Sequence, residues 1–319
     1  MYEFLNNKII DKNLSEFNLI LDELKATYSE FPQHIFQYIL SSKGKQIRPL
    51  LTFLSANLFG DNNSTTQTAA LIIELMHSAS LLHDDVIDEA KIRRGIATIN
   101  HKWDNKTAIM AGDFIFALAM KIATERNEHK LFDIISKAVM DLSLGEIKET
   151  EFSNNFSPDI HQYLEIIYLK TASLIACCFE CGSFSVGASI ENINLAKEFG
   201  KIFGLIFQIK DDILDYCGTN TGKEKGIDIK GKKLTLPLIL AYQNMDINLQ
   251  KQIKTIWNQT YKSVEDINFI INKTIEFQGI TKSNEILLNY KYQAESLLLK
   301  FENKEISKII LFLVMSLNK

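Results

Sequence analysis

The sequence predicts an all-α fold on three observations. Apolar residues recur at helical spacing from end to end, alternating runs of strand type are not evident, and the breakers are scarce, with 14 Gly and 4 Pro in 319 residues. So few breakpoints favour a single domain over 1–319. With 35 basic against 39 acidic residues and a formal charge of −4, there is no electrostatic case for nucleic acid. No uncharged apolar run reaches the length of a membrane span, and MYEFLNNKIIDK carries no secretory pattern, so a cytoplasmic protein without stable membrane insertion is expected.

Leu14, Phe17, Ile20, Leu21 and Leu24 recur at helical spacing, and Pro32 closes that helix before another begins near Gln33. Lys43 to Gln46 reads as a basic loop, and Arg48-Pro49 opens the next helix, with Pro tolerated in the first turn. A helix start flanked by Lys45 and Arg48 is an anion site, because free backbone N–H groups and side-chain charge act together. Gly60 to Thr66 reads as a polar loop. The helix after it is apolar nearly all round through Ala69, Ile72, Leu75, Met76, Leu81 and Leu82, the pattern of a buried element. It ends in the stretch His77 to Gly95, HSASLLHDDVIDEAKIRRG.

The three aspartates Asp84, Asp85 and Asp88 fall at i, i+1 and i+4, and at 100° per residue His77, Asp84 and Asp88 lie within about 40° of one another, so the stretch presents one acidic face. Clustered carboxylates repel and lose hydration, and Mg²⁺ is a hard cation taken by one or two carboxylates together with substrate phosphates. Alone, this spacing fits a solvated helix end equally well. A second apolar helix repeats it: Gln208, Asp211, Asp212 and Asp215, in FQIKDDILD, fall at i, i+3, i+4 and i+7 on one face. Two such faces opposed across a cavity would hold magnesium and a diphosphate, and coincidence becomes the weaker reading.

Lys91, Arg93, Arg94 and Gly95 form a cationic turn, and the arginine fork suits phosphate oxygens. Ala108 to Ala123 and His129 to Phe152 read as helices, with Asn154 to Pro158 a loop. Tyr163 to Ala176 reads as another helix and carries Lys170-Thr171; Glu191 to Tyr216 holds the second acidic set. The polar segment Cys217 to Lys233 reads as a cationic lid able to exclude water. Cys177, Cys178, Cys181 and Cys217 lack the second ligand pair that a zinc site requires; those in the apolar run Leu174 to Ala188 are expected to be buried thiols.

Gly44-Lys45-Gln46-Ile47-Arg48-Pro49, the two DDxxD helices and the loop ending Thr235-Leu236-Pro237 occur in the order found in trans-polyprenyl diphosphate synthases, and the chain resembles that family over nearly its whole length. The resemblance implies a helical bundle of the isoprenoid synthase type around a central cavity, a homodimer, and about three magnesium ions per site. It implies condensation of isopentenyl diphosphate head-to-tail with geranyl or farnesyl diphosphate. Lys45, Arg48, His77 and Arg94 would hold the isopentenyl diphosphate. Arg93, Lys170, Thr171, Gln208, Lys223 and Lys233 would hold the allylic one, with Asp84, Asp88 and Asp211 as metal ligands supported by Asp85, Asp212 and Asp215.

Short-chain members carry aromatic rings below the first aspartates or two extra residues in the motif. Here Ala79, Ser80 and Met76 occupy that neighbourhood, so an apolar tunnel with a floor near Phe132 or Ile135 and a medium- or long-chain product, for quinone side chains, is expected. The alternatives are a short-chain farnesyl or geranylgeranyl synthase, a terpene cyclase, which would not need Lys45, Arg48 and His77, and a non-catalytic partner subunit, which would be expected to have lost aspartates. Lys43 in place of a second glycine, Glu224 in place of proline, and Gly231-Lys232 in place of an acidic-glycine pair depart from the family pattern.

Overall fold

The computed structural model describes residues 8–27, 33–41, 44–217 and 225–316. They form helices α1 (Lys8–Thr27), α2 (Gln33–Ser41), α3 (Ile47–Asn57), α4 (Ser64–Ile87), α5 (Ile99–Lys102), α6 (Asn105–Glu125), α7 (His129–Asn155), α8 (Ile160–Ile167), α9 (Ser173–Ser185), α10 (Ile190–Cys217), α11 (Ile227–Lys230), α12 (Leu236–Tyr242), α13 (Ile247–Asn258), α14 (Val264–Glu276), α15 (Gly279–Leu298) and α16 (Lys304–Ser316), a π-helical turn at Tyr168–Ala172, and a hairpin of β1 (Ile92–Arg93) and β2 (Ile96–Ala97). The all-α expectation holds. The chain divides into two compact units: Met1–Val139 with Cys177–Lys197 and Glu302–Ile306, and Met140–Ala176 with Glu198–Phe301 and Ser307–Lys319.

In the first unit α4 is the core, packed on α3 and α6. The polar loop before it is shorter than the composition suggests, because Asn63 starts the helix. Thr66 N donates to Asn63 Oδ1 at 2.9 Å and Asn63 N to Thr66 Oγ1 at 3.2 Å, a reciprocal cap that contributes about 1 kcal/mol. The helix stops in a Schellman motif: Glu89 takes φ 48, Ala90 N donates to Asp85 O and Glu89 N to Val86 O. α6 is long and apolar enough to cross a membrane by length and composition alone. Its stripe Ala108, Ala111, Ile115, Leu118, Ala119 and Ile122 is buried in the manner of a core helix.

In the second unit α12 packs against α8, α14 and α15. The expected helix over 163–176 is interrupted by the π turn, and the reason is crowding from both sides. A Cβ on Gly145 of α7 would lie 2.6 Å from Lys170 N, and one on Gly204 of α10 would lie 2.4 Å from Ala172 Cα, so two backbones press on this turn at positions that only glycine permits. The polar segment after α10 is not all loop, since α11 forms within it, and α7 continues to Asn155, past the expected boundary. Cys177, Cys178 and Cys181 are buried as expected, whereas Cys217 is exposed.

Candidate active site

Both aspartate sets occupy the C-terminal turns of their helices, Asp84 and Asp85 with the cap Asp88 on α4, and Asp211, Asp212 and Asp215 on α10. That end of a helix already carries partial negative charge, and each added anion is unfavourable there by about 0.3–1 kcal/mol. The arrangement runs against helix stability and calls for cations.

The six carboxylates are not equivalent. Asp85 and Asp212 are buried, Asp84 and Asp215 half-buried, and Asp88 and Asp211 exposed. The two buried ones are bonded within the protein, and the exposed ones are open to approach. Arg93 Nε donates to Asp85 Oδ1 at 2.6 Å. Burial raises the Asp85 pKa, and the Arg93 bond and charge oppose that rise.

Arg94 follows in the tip of the hairpin at φ 52, ahead of Gly95 at φ 81, a left-handed conformation unfavourable for arginine by about 1 kcal/mol. Its guanidinium lies on Gly44, where a Cβ would approach Arg94 Cζ to 2.3 Å. The glycine of the Gly-Lys-x-x-Arg-Pro element thus gives Arg94 its seat, and the two adjacent arginines point to different partners. Arg93, Arg94, Gly44, Gln46, Glu74 and Asp85 line a cavity of about 70 Å³ in this unit, with apolar walls from Tyr38, Leu75 and Ile99.

Arg48, in the first turn of α3, has a buried Nε with no hydrogen-bond partner. His77 is buried, and burial together with Arg48, Arg94 and Arg93 lowers its pKa well below the usual range, so it is neutral. Glu74, which sequence reasoning passed over, is raised by burial and pulled back by Arg48 and Arg94. It stands one turn before His77, and an acid inside an apolar helix was the available signal. Lys45 is exposed. Ala79 is fully buried, Met76 and Ser80 are buried, and Ser80 Oγ donates to His77 O at 2.9 Å. Ile135 is fully buried and Phe132 half-buried on α7.

In the second unit Thr171 Oγ1 donates to Gln208 Oε1 at 2.7 Å, Gln208 Nε2 to Asp212 Oδ1 at 2.7 Å, and Tyr163 OH to Asp212 Oδ2 at 2.6 Å. Tyr163 was known only as the start of a helix. Lys170 does not reach solvent freely: Glu149 Oε2 is 2.6 Å and Glu146 Oε2 2.9 Å from its Nζ. Asp215 accepts from Ile227 N at 3.0 Å and Asp228 N at 3.2 Å, which ties the cationic segment to α10. Lys232 takes φ 55, the conformation a glycine adopts without strain, at a departure noted in the sequence. Lys170, Lys233, Gln208, Asp211, Asp212 and Asp228 line a cavity of about 210 Å³. Asp228 was hidden in the sequence among lysines. Lys43, Lys223 and Glu224 lie outside the described residues.

Burial, followed by the charge of Asp228, pushes Asp212 up to about 8, against the bonds from Tyr163 and Gln208. The folded chain therefore keeps a proton that the unfolded chain releases near ~3.9. A pKa raised by folding gives stability that is complete at low pH and is lost as pH rises from about 4 to about 8. Asp212→Asn has no proton to lose, so its melting temperature relative to wild type should climb as pH rises from about 4 to about 8 and level off above that. A pH-independent difference would mean that Asp212 is ionised throughout.

Acid-crowded helix ends on an all-α scaffold, beside arginines and lysines, place the protein in the isoprenoid synthase fold class. Comparison with known proteins agrees. Residues 30–274 match the family described as Polyprenyl synthetase. The chain is 35% identical over 299 residues to the heptaprenyl diphosphate synthase component 2 of Bacillus subtilis (strain 168), covering 92% of this chain and 83% of that one. It is 34% identical over 258 residues to the octaprenyl diphosphate synthase of Escherichia coli (strain K12), covering 79% of each. Its structure matches the crystal structure of a polyprenyl synthase from Caulobacter crescentus CB15, complexed with calcium and isoprenyl diphosphate, with a TM-score of 0.89 at 27% identity over 99% of this chain and 97% of that one. The chain belongs to the polyprenyl synthetase family. It is a trans-prenyltransferase of medium- to long-chain polyprenyl diphosphate synthesis.

Proposed function

We propose that residues 1–319 act as one catalytic domain that extends geranyl or farnesyl diphosphate with isopentenyl diphosphate, in the presence of Mg²⁺. The allylic C–O bond breaks with its electron pair leaving on the diphosphate, the isopentenyl double bond forms the new C–C bond, and a proton is then lost from the resulting cation. Asp84, Asp88 and Asp211 would hold the metal, about three ions per site, with Asp85, Asp212 and Asp215 behind them. When bound, magnesium neutralises charge on the departing diphosphate.

The donor chemistry fits: the candidate ligands are all carboxylate oxygens, the preference of a hard cation. Among the described residues no three His, Cys, Asp or Glu side chains converge as a ready cage, and a Mg²⁺ site completed by substrate phosphate needs none. The observation that carries the reading is the placement of both aspartate sets at the negative ends of their helices.

Lys170, Thr171, Gln208, Arg93, Lys233 and, from the family resemblance, Lys223 would bind the allylic diphosphate. Lys45, Arg48, His77 and Arg94 would bind the isopentenyl diphosphate. The buried, unpartnered Arg48 Nε and a neutral His77 suit an anion that must stay attached while the other departs. Cytoplasmic location, a product for quinone side chains and a homodimer complete the proposal. The exposed Ile109, Met110 and Met120 on α6 give a copy of the chain an apolar surface to meet. The word "component" in the Bacillus relative's name favours a second reading, a catalytic chain that works with a partner subunit.

The experiment is to incubate the purified protein with labelled isopentenyl diphosphate and several allylic primers, with and without chelator, and size the products. Long-chain product that disappears on chelation and returns with added Mg²⁺ is expected. Turnover that persists in chelator would end the metal assignment.

A further inference from the structure

Lys170 is held by two carboxylates where one would neutralise it. Glu146 and Glu149 both come from α7 and reach the same ammonium at 2.9 and 2.6 Å, and all three side chains are half-buried. The arrangement is fixed by backbone, because the Gly145 contact presses α7 directly onto the π turn that carries Lys170. The result is a rigid group of formal charge −1 at the position where a lone lysine would offer +1. Around the 210 Å³ cavity the balance leans the same way even without the protonated Asp212: Glu149, Asp211 and Asp228 face Lys170 and Lys233. A diphosphate approaching this wall by itself meets more negative than positive formal charge.

We infer that Glu146 and Glu149 are positioning residues that keep the Lys170 ammonium in reserve, so that this cavity accepts a diphosphate only together with divalent cations. This rests on the proposal that the cavity takes the allylic diphosphate, and it adds a reason for two acids that the proposed chemistry does not otherwise use. With cations present the excess acid is offset, and Lys170 can turn one of its three N–H donors to a phosphate oxygen while keeping the others on the glutamates. Without them the lysine has no unopposed charge to give. The device guards against unproductive occupation by free diphosphate, which is also the by-product of the reaction.

The test is calorimetric binding of inorganic pyrophosphate to the full chain in chelator, where the readout is affinity rather than turnover. Wild type should bind weakly. Glu149→Gln should bind about tenfold tighter or more, because it removes one negative charge within a few ångströms of a polyanion in a partly shielded site. Glu146→Gln, with the longer contact, should show a smaller gain in the same direction and carries the test if the first variant does not fold. The double variant Lys170→Gln/Glu149→Gln should lose the gain, and with saturating Mg²⁺ wild type and Glu149→Gln should converge to within about threefold. Unchanged or weaker metal-free binding in both single variants would overturn the inference and mean that the glutamates only orient Lys170. A different result would break the underlying assignment: wild-type binding of Mg²⁺-pyrophosphate that Asp211→Asn leaves untouched.

Discussion

Asp84→Asn should lower kcat by about 10²–10³-fold, and Asp211→Asn by a similar factor, the size found when one preorganised electrostatic stabiliser of developing negative charge is removed. Neither change should unfold the protein. Each removes an anion from the negative end of a helix, relieving about 0.3–1 kcal/mol of repulsion, so the melting temperature should hold or rise slightly while turnover collapses. Opposite movement of activity and stability is the signature of a residue kept for chemistry at the expense of its helix. Activity within threefold of wild type would remove these two carboxylates from the metal site. Lower stability without loss of kcat would make them ordinary helix-end residues.

Ala79→Phe should shorten the product. Ala79 is fully buried on α4, between the His77 anchor and the first aspartates, so an added ring must displace something. If protein atoms fill the space, overpacking is destabilising by about 1–3 kcal/mol and the melting temperature falls. If the growing chain runs alongside, the ring enters that path, elongation stops early and stability is nearly unchanged. Chromatographic sizing with a melting curve on the same sample separates the two. Unchanged product length would defeat the tunnel proposal, and a lowered melting temperature beside it would say that Ala79 packs against protein.

The acidic helices, the basic entry to α3 and the cationic turn after α4 were legible in the sequence because each is a local pattern. Spacing of three and four residues fixes a shared helix face whatever packs around it, so the aspartate sets with His77 and Gln208 could be read without coordinates. Burial by contrast depends on what lies opposite, and spacing alone did not rank the six acids by burial. The fold made Asp85 and Asp212 internal partners of Arg93 and Tyr163 and left Asp88 and Asp211 exposed. The π turn was illegible for the same reason: Leu169 to Ala172 have no intrinsic break, and the interruption comes from Gly145 and Gly204, far along the chain.

By itself, then, the sequence determined the all-α class, the two carboxylate-bearing helix ends and the cations that accompany them, since helical periodicity and charge are properties of neighbouring residues. Only the tertiary structure decided which acids are buried, that Gly44 seats Arg94, that Glu146 and Glu149 hold Lys170, and that Glu74 and Asp228 join the charged clusters. Those contacts join residues that are distant in sequence or set by local desolvation, and no spacing along the chain encodes them.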